Sequence, residues 1–164
     1  RACKPAPGLK IIDATAGWGK DASILANFGA EVFMIERNPV MATLLEDAIG
    51  RMNVASSLSD SLILFHGDAK NYLNELLPSQ FPDVIYLDPM HPARKKSALV
   101  KKNMQVLQNM LGLDDDASEL LELALTRTKY KVVVKWPNRL KPLLKPHYSI
   151  PGKTIRFDVF TNTQ

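Results

Sequence analysis

Short apolar runs alternate along the chain with segments in which apolar residues recur at helical spacing. The runs at 9–12, 32–35, 62–65, 84–87 and 132–134 are rich in Leu, Ile, Val and Phe. Strands of that kind, separated by helices, predict a parallel sheet covered on both faces. Residues 21–28 read as a short helix, with Gly29 as its left-handed C-terminal residue. The clearest helix starts at Asn38 as N-cap with Pro39 in the first helical position, and Met41, Leu44, Leu45, Ala48, Ile49 and Met52 form its sheet-facing stripe. The serine-rich stretch 53–60 reads as a surface loop.

Beyond the fourth run, Val100, Met104, Leu107 and Leu111 repeat at helical spacing, with Lys101, Lys102, Gln105 and Gln108 on other faces. Another helix is predicted from Asp114–Asp116, whose carboxylates suit the positive end of a helix dipole, to about Arg127. The tail differs: 147–150, a Pro151-Gly152 turn and 155–160 predict an antiparallel hairpin. The expected architecture is α/β and Rossmann-like, a mostly parallel sheet ending in that hairpin, in one domain over residues 1–164.

Composition narrows the setting. The chain is 46% hydrophobic and 23% charged, which argues against disorder, and a net charge of +4 suits a polyanionic partner without naming one. Cys3 is the single cysteine and excludes an internal disulfide, while no segment reads as a membrane span or signal peptide, so the cytoplasm is expected. The opening Arg1-Ala2-Cys3-Lys4 has no initiator Met, and a fragment lacking an N-terminal region is expected.

Chemistry collects at the ends of the apolar runs. After the first run comes Asp13-Ala14-Thr15-Ala16-Gly17-Trp18-Gly19-Lys20-Asp21, in strand-to-helix context. The glycines formally match the G-x-G-x-x-G/A dinucleotide fingerprint, but Asp13 would repel a pyrophosphate and suits a cationic sulfonium amino acid instead. Glu36 ends the second run, placed to accept hydrogen bonds from ribose hydroxyls, and Asp68 follows the third, placed to accept from an adenine amino group or to cap a helix. As purely structural residues, Glu36 would be a solvated strand end and Asp88-Pro89 a turn.

The most specific element is Asp88-Pro89-Met90-His91-Pro92 after the fourth run. It resembles the Asp/Asn-Pro-Pro-aromatic tetrapeptide of methyltransferases that modify exocyclic amines. Such an amine is a poor nucleophile because its lone pair is delocalised into the ring. Hydrogen bonds to the Asp88 carboxylate and the Pro89 carbonyl would hold it and favour pyramidal nitrogen, and His91 would stack on the base. Arg94, Lys95, Lys96, Lys101 and Lys102 follow, joined by Lys135, Arg139, Lys141 and Lys145 after the fifth run, as phosphate contacts to RNA would require.

These stretches, with Glu36-Arg37, Lys96-Ser97-Ala98-Leu99-Val100-Lys101-Lys102 and Gly152-Lys153-x-x-Arg156-Phe157-Asp158, resemble the small-subunit ribosomal RNA methyltransferase J family over nearly the whole chain. The resemblance implies a class I fold, S-adenosylmethionine as cofactor, no metal, and transfer of a methyl group to the exocyclic amine of a guanine in 16S ribosomal RNA, free or in the small subunit. It further implies that Lys20, Asp21, Glu36, Arg37, Asp68, Ala69 and Asp88 line the cofactor site. His91 stands where the family carries Phe or Tyr, and the family has an N-terminal region that this chain lacks. The alternatives are an NAD-dependent oxidoreductase and a non-catalytic RNA-binding domain of the same fold.

Overall fold

The five apolar runs become five adjacent parallel strands: β1 Lys10–Asp13, β2 Glu31–Glu36, β3 Leu62–His66, β4 Val84–Leu87 and β5 Lys131–Pro137. The computed structural model describes residues 2–52, 58–89 and 116–162. The hairpin forms as expected, from β6 Tyr148–Pro151 and β7 Ile155–Thr161, with β7 antiparallel to β5. The resulting order is β3-β2-β1-β4-β5-β7-β6. The predicted helix around 100–111 and most of the loop at 53–60 lie outside the described residues.

Among the described residues, four helices cover the sheet: α1 Lys20–Asn27, α2 Pro39–Gly50, α3 Ala69–Glu75 and α4 Ala117–Leu125. Alternation along each strand sends neighbouring residues to opposite layers. Ile11, Val32, Met34 and Val133 join Ala22, Leu25 and Ala26 of α1 and Leu45 of α2 in one core. Ile12, Ile35, Ile85, Leu87, Val132 and Val134 join Leu73 of α3 and Leu121 and Ala124 of α4 in the other.

Local signals set the helix ends. Asn38 caps α2 by accepting the Val40 and Met41 amides at 3.0 and 3.2 Å, an arrangement that contributes about 1 kcal/mol. Gly29 closes α1 in the left-handed region, φ +92°, its amide donating to the Ala26 carbonyl. The α2 stripe is narrower than its periodicity suggested. Met41, Ala42 and Leu45 are buried and Ile49 half-buried, whereas Leu44 and Ala48 face solvent. Leu44 lies roughly 110° around the helix from the centre of the buried arc, too far to reach the sheet.

Candidate active site

The strand order reverses at β1: the chain runs outward through β2 and β3, then crosses back to place β4 on the other flank of β1. Such a switch point leaves a crevice at the carboxyl ends of the strands. Here it is a cavity of about 490 Å³, lined by the β1–α1 loop, the tips of β2 and β4, the start of α3 and the start of α4.

On the β2 side, Glu36 is nearly buried and bonded to the loop beside it. Its Oε2 accepts the Gly17 amide at 2.8 Å and its Oε1 the Asn38 amide at 2.7 Å. The Gly19 amide in turn donates to the Ala16 carbonyl at 2.8 Å. Both glycine amides are thus engaged within the protein instead of being turned toward an anion, which argues against a pyrophosphate at this loop. Asp68 caps α3, accepting the Asn71 amide at 3.0 Å, and also lines the cavity.

The other side is acidic. Asp13 ends β1, fully buried, and burial pushes its carboxyl up to about 7, partly opposed by the Thr15 amide that donates to it at 3.2 Å. Asp21 opens α1 and accepts the Tyr86 hydroxyl at 2.7 Å. Asp88 follows β4; its amide donates to the Thr15 hydroxyl oxygen at 2.6 Å, tying the loop after β4 to the loop after β1. Burial and its bond to Asp21 push the Tyr86 phenol up, so it stays a donor. Lys135 sits between Asp21 and Asp88, its Nζ 2.8 Å from Oδ2 of each. Burial pulls this ammonium down, but the two carboxylates outweigh it and the net direction is up.

Of the residues expected at a cofactor site, Asp13, Ala14, Thr15, Gly17, Lys20, Asp21, Glu36, Arg37, Asp68, Ala69 and Asp88 all line this cavity, as does Pro89. Gly19 does not; it precedes α1 with φ +66°, a left-handed conformation that favours glycine, and a Cβ there would lie 2.8 Å from Leu45 Cδ2. Met90, His91, Arg94, Lys95, Lys96, Lys101 and Lys102 lie outside the described residues. Lys135, expected on a basic surface with Arg139, Lys141 and Lys145, instead points into the crevice, while the other three are exposed. The strand pattern explains it: a lysine directly after three buried valines belongs to a covered strand and needs partners there.

Asp116 stands at the head of α4, as expected, but its carboxylate has further partners. It precedes α4 without capping it through its side chain, and its carboxylate pairs with Lys70 at 2.9 Å and Arg37 at 3.6 Å across the cavity rim. Trp18, Met41, Tyr86 and Leu120 supply apolar and aromatic lining that sequence reasoning did not single out. Among the described residues, no three His, Cys, Asp or Glu side chains converge so as to hold a metal ion, and no helix is long and apolar enough to cross a membrane.

A sheet of this order, with an acid at the tip of β2 and an acid-proline step after β4, is that of a Rossmann-like methyltransferase. Residues 1–162 match the family model described as "Putative SAM-dependent methyltransferase". The chain belongs to this family, and S-adenosylmethionine is its cofactor. That sets aside the NAD reading. A relative from Legionella pneumophila (strain Lens), called ribosomal RNA small subunit methyltransferase J, is 60% identical over 160 residues, covering 98% of this chain and 66% of its own length. One of the same description from Coxiella burnetii (strain Dugway) is 51% identical, covering 96% of this chain and 62% of its own length. The chain thus spans just under two thirds of these relatives. The crystal structure of a SAM-dependent methyltransferase from Neisseria gonorrhoeae superposes with a TM-score of 0.74 at 32% identity, covering 93% of this chain and 61% of that one.

Proposed function

We propose that residues 1–164 form a single methyltransferase domain that transfers a methyl group to the exocyclic amine of a guanine in small-subunit ribosomal RNA, in the cytoplasm. The observation that carries this reading is the acidic pole of the cavity. Asp13, Asp21 and Asp88 line it with Lys135, and even with the Asp13 carboxyl pushed up to about 7 the acids outweigh the one ammonium, which suits a cationic donor and a developing ammonium and disfavours a phosphate. The names of the Legionella and Coxiella relatives supply the substrate class.

S-adenosylmethionine, when bound, supplies a methyl carbon made electrophilic by its sulfonium. Glu36 accepts hydrogen bonds from the ribose hydroxyls, using lone pairs beyond those that hold the Gly17 and Asn38 amides. Asp68 accepts from the adenine amine. Asp13 and Asp21 face the cationic amino-acid end, with Ala14, Thr15, Gly17, Lys20, Arg37 and Ala69 completing the wall. Asp88 and the Pro89 carbonyl hold the acceptor amine, and the Asp88 carboxylate stabilises positive charge as it builds on that nitrogen. Met90 and His91 contact the base, and Arg94, Lys95, Lys96, Lys101 and Lys102 contact RNA phosphates.

The test uses the full-length protein and small ribosomal subunits from cells lacking its gene. Labelled methyl donor should leave its label on the exocyclic nitrogen of one guanine, and calorimetry should show the chain binding the donor but not NAD. Label on a ring nitrogen, on a ribose, or nowhere in the RNA would overturn the assignment.

A further inference from the structure

Lys135 holds neither donor nor acceptor, yet it is a cation at the centre of the crevice. β-strand alternation turns it to the same layer as Val133, toward the start of α1. There its Nζ reaches Asp21 in the first turn of α1 and Asp88 just after β4, both at 2.8 Å. The Asp21 oxygen it contacts also accepts the Tyr86 hydroxyl. The three charged side chains keep 25, 32 and 39% of their exposure, and at that exposure an ion pair adds little to stability. Their arrangement has a geometric consequence instead. The acid that meets the acceptor is joined to the first turn of α1 through one ammonium.

We propose that Lys135 is a positioning residue for methyl transfer: it locks the Asp88 carboxylate against Asp21 in the first turn of α1, so that this acid is set in place before the acceptor arrives. This rests on the methyl-transfer reading. The Thr15 hydroxyl fixes the backbone at Asp88, and Lys135 fixes the side chain, so both soft parts of the acid are held. A carboxylate held in place stabilises developing charge without first reorganising. Among the described residues, the groups near Asp88 include Asp13 from β1, Asp21 from α1, Tyr86 from β4 and Lys135 from β5. Removing the ammonium takes away a cation 2.8 Å from the Asp88 carboxylate while Asp13 and Asp21 stay nearby, which loosens the hold on that side chain and makes it harder to ionise.

Lys135→Met keeps the length and apolar stem of the side chain, and Lys135→Arg keeps the charge. Side-chain carboxyl titration by carbon NMR on the chain, with Asp88→Asn identifying the signal, should show the Asp88 midpoint rising by about one pH unit or more in Lys135→Met and by much less in Lys135→Arg. In single turnover at saturating donor, full-length Lys135→Met should transfer methyl about tenfold or more slowly at neutral pH, with the acid limb of its pH–rate profile displaced upward. Lys135→Arg should recover most of the rate. An Asp88 midpoint unmoved in Lys135→Met, or a Lys135→Met rate close to that of the unaltered enzyme, overturns the proposal. If the unaltered enzyme transfers no methyl to ribosomal RNA, the functional reading fails, while the carboxyl titration still decides whether Lys135 holds Asp88.

Discussion

Glu36 carries the glycine loop: its carboxylate accepts the Gly17 amide at 2.8 Å from a strand tip otherwise nearly sealed from solvent. One side chain thus shapes the loop and, in the proposed site, receives the ribose. Glu36→Ala should weaken binding of S-adenosylmethionine by about 1–3 kcal/mol, the usual cost of leaving such partners unpaired. Glu36→Gln should fall between, because its amide oxygen can serve one of the two backbone donors while its NH₂ opposes the other. Calorimetry on the chain measures both, and unchanged affinity in Glu36→Ala would remove Glu36 from the donor site.

Gly19 and Leu45 make a packing prediction independent of function. A Cβ at Gly19 would sit 2.8 Å from Leu45 Cδ2, on a backbone with φ +66°. Gly19→Ala should cost about 1–3 kcal/mol in urea unfolding, from the left-handed backbone and from overpacking together. Adding Leu45→Ala should relieve the crowding but not the backbone term, so the two substitutions should be non-additive by about 0.5 kcal/mol or more. A neutral Gly19→Ala would contradict the left-handed turn at the head of α1.

How far the sequence reached depends on whether the deciding forces are local. Asn38-Pro39 at a helix start and Gly29 at a helix end act within a few residues, and both stand where their chemistry predicts. Continuous apolar runs such as 84–87 mark strands covered on both faces, and all five form, although β3 at the sheet edge leaves Ile63 and Phe65 exposed. The acids at the strand tips follow from the topology. What periodicity could not supply was azimuth and partner. Leu44 shares the α2 repeat but falls outside the arc that meets the sheet. Lys135 looks like one more cation in a basic tail until β5 is paired with β4, which brings it beside Asp88. Asp116 fits a helix-dipole pattern, while the partners that fix it, Lys70 and Arg37, lie far off in the chain. A charged residue directly following a buried valine run was the available sign for Lys135.

Asp13 makes stability depend on pH. Its carboxyl ionises near 3.8 in an unfolded chain and near 7 in the buried site. Between those values the folded state keeps a proton that the unfolded state releases, so stability from this group falls as pH rises from about 4 to 7 and then levels off. Asp13→Asn keeps an oxygen for the Thr15 amide without the ionisation. It should match the unaltered chain near pH 4 and exceed it at pH 8 by an amount on the order of a few kcal/mol. Urea unfolding at several pH values reads this directly, and parallel pH profiles for the two proteins would contradict it.

Asp88 bears the central claim. Asp88→Asn preserves shape and can still accept a hydrogen bond, but it lacks the charge that stabilises nitrogen as the methyl arrives. The decisive measurement is single-turnover methyl transfer to small ribosomal subunits by the full-length protein, at donor concentrations shown to saturate each variant. Asp88→Asn should slow transfer by about two to three powers of ten, with folding and RNA affinity little changed because most of that affinity comes from phosphates. A rate near that of the unaltered enzyme would show that Asp88 is a turn residue and that the acceptor amine is held elsewhere.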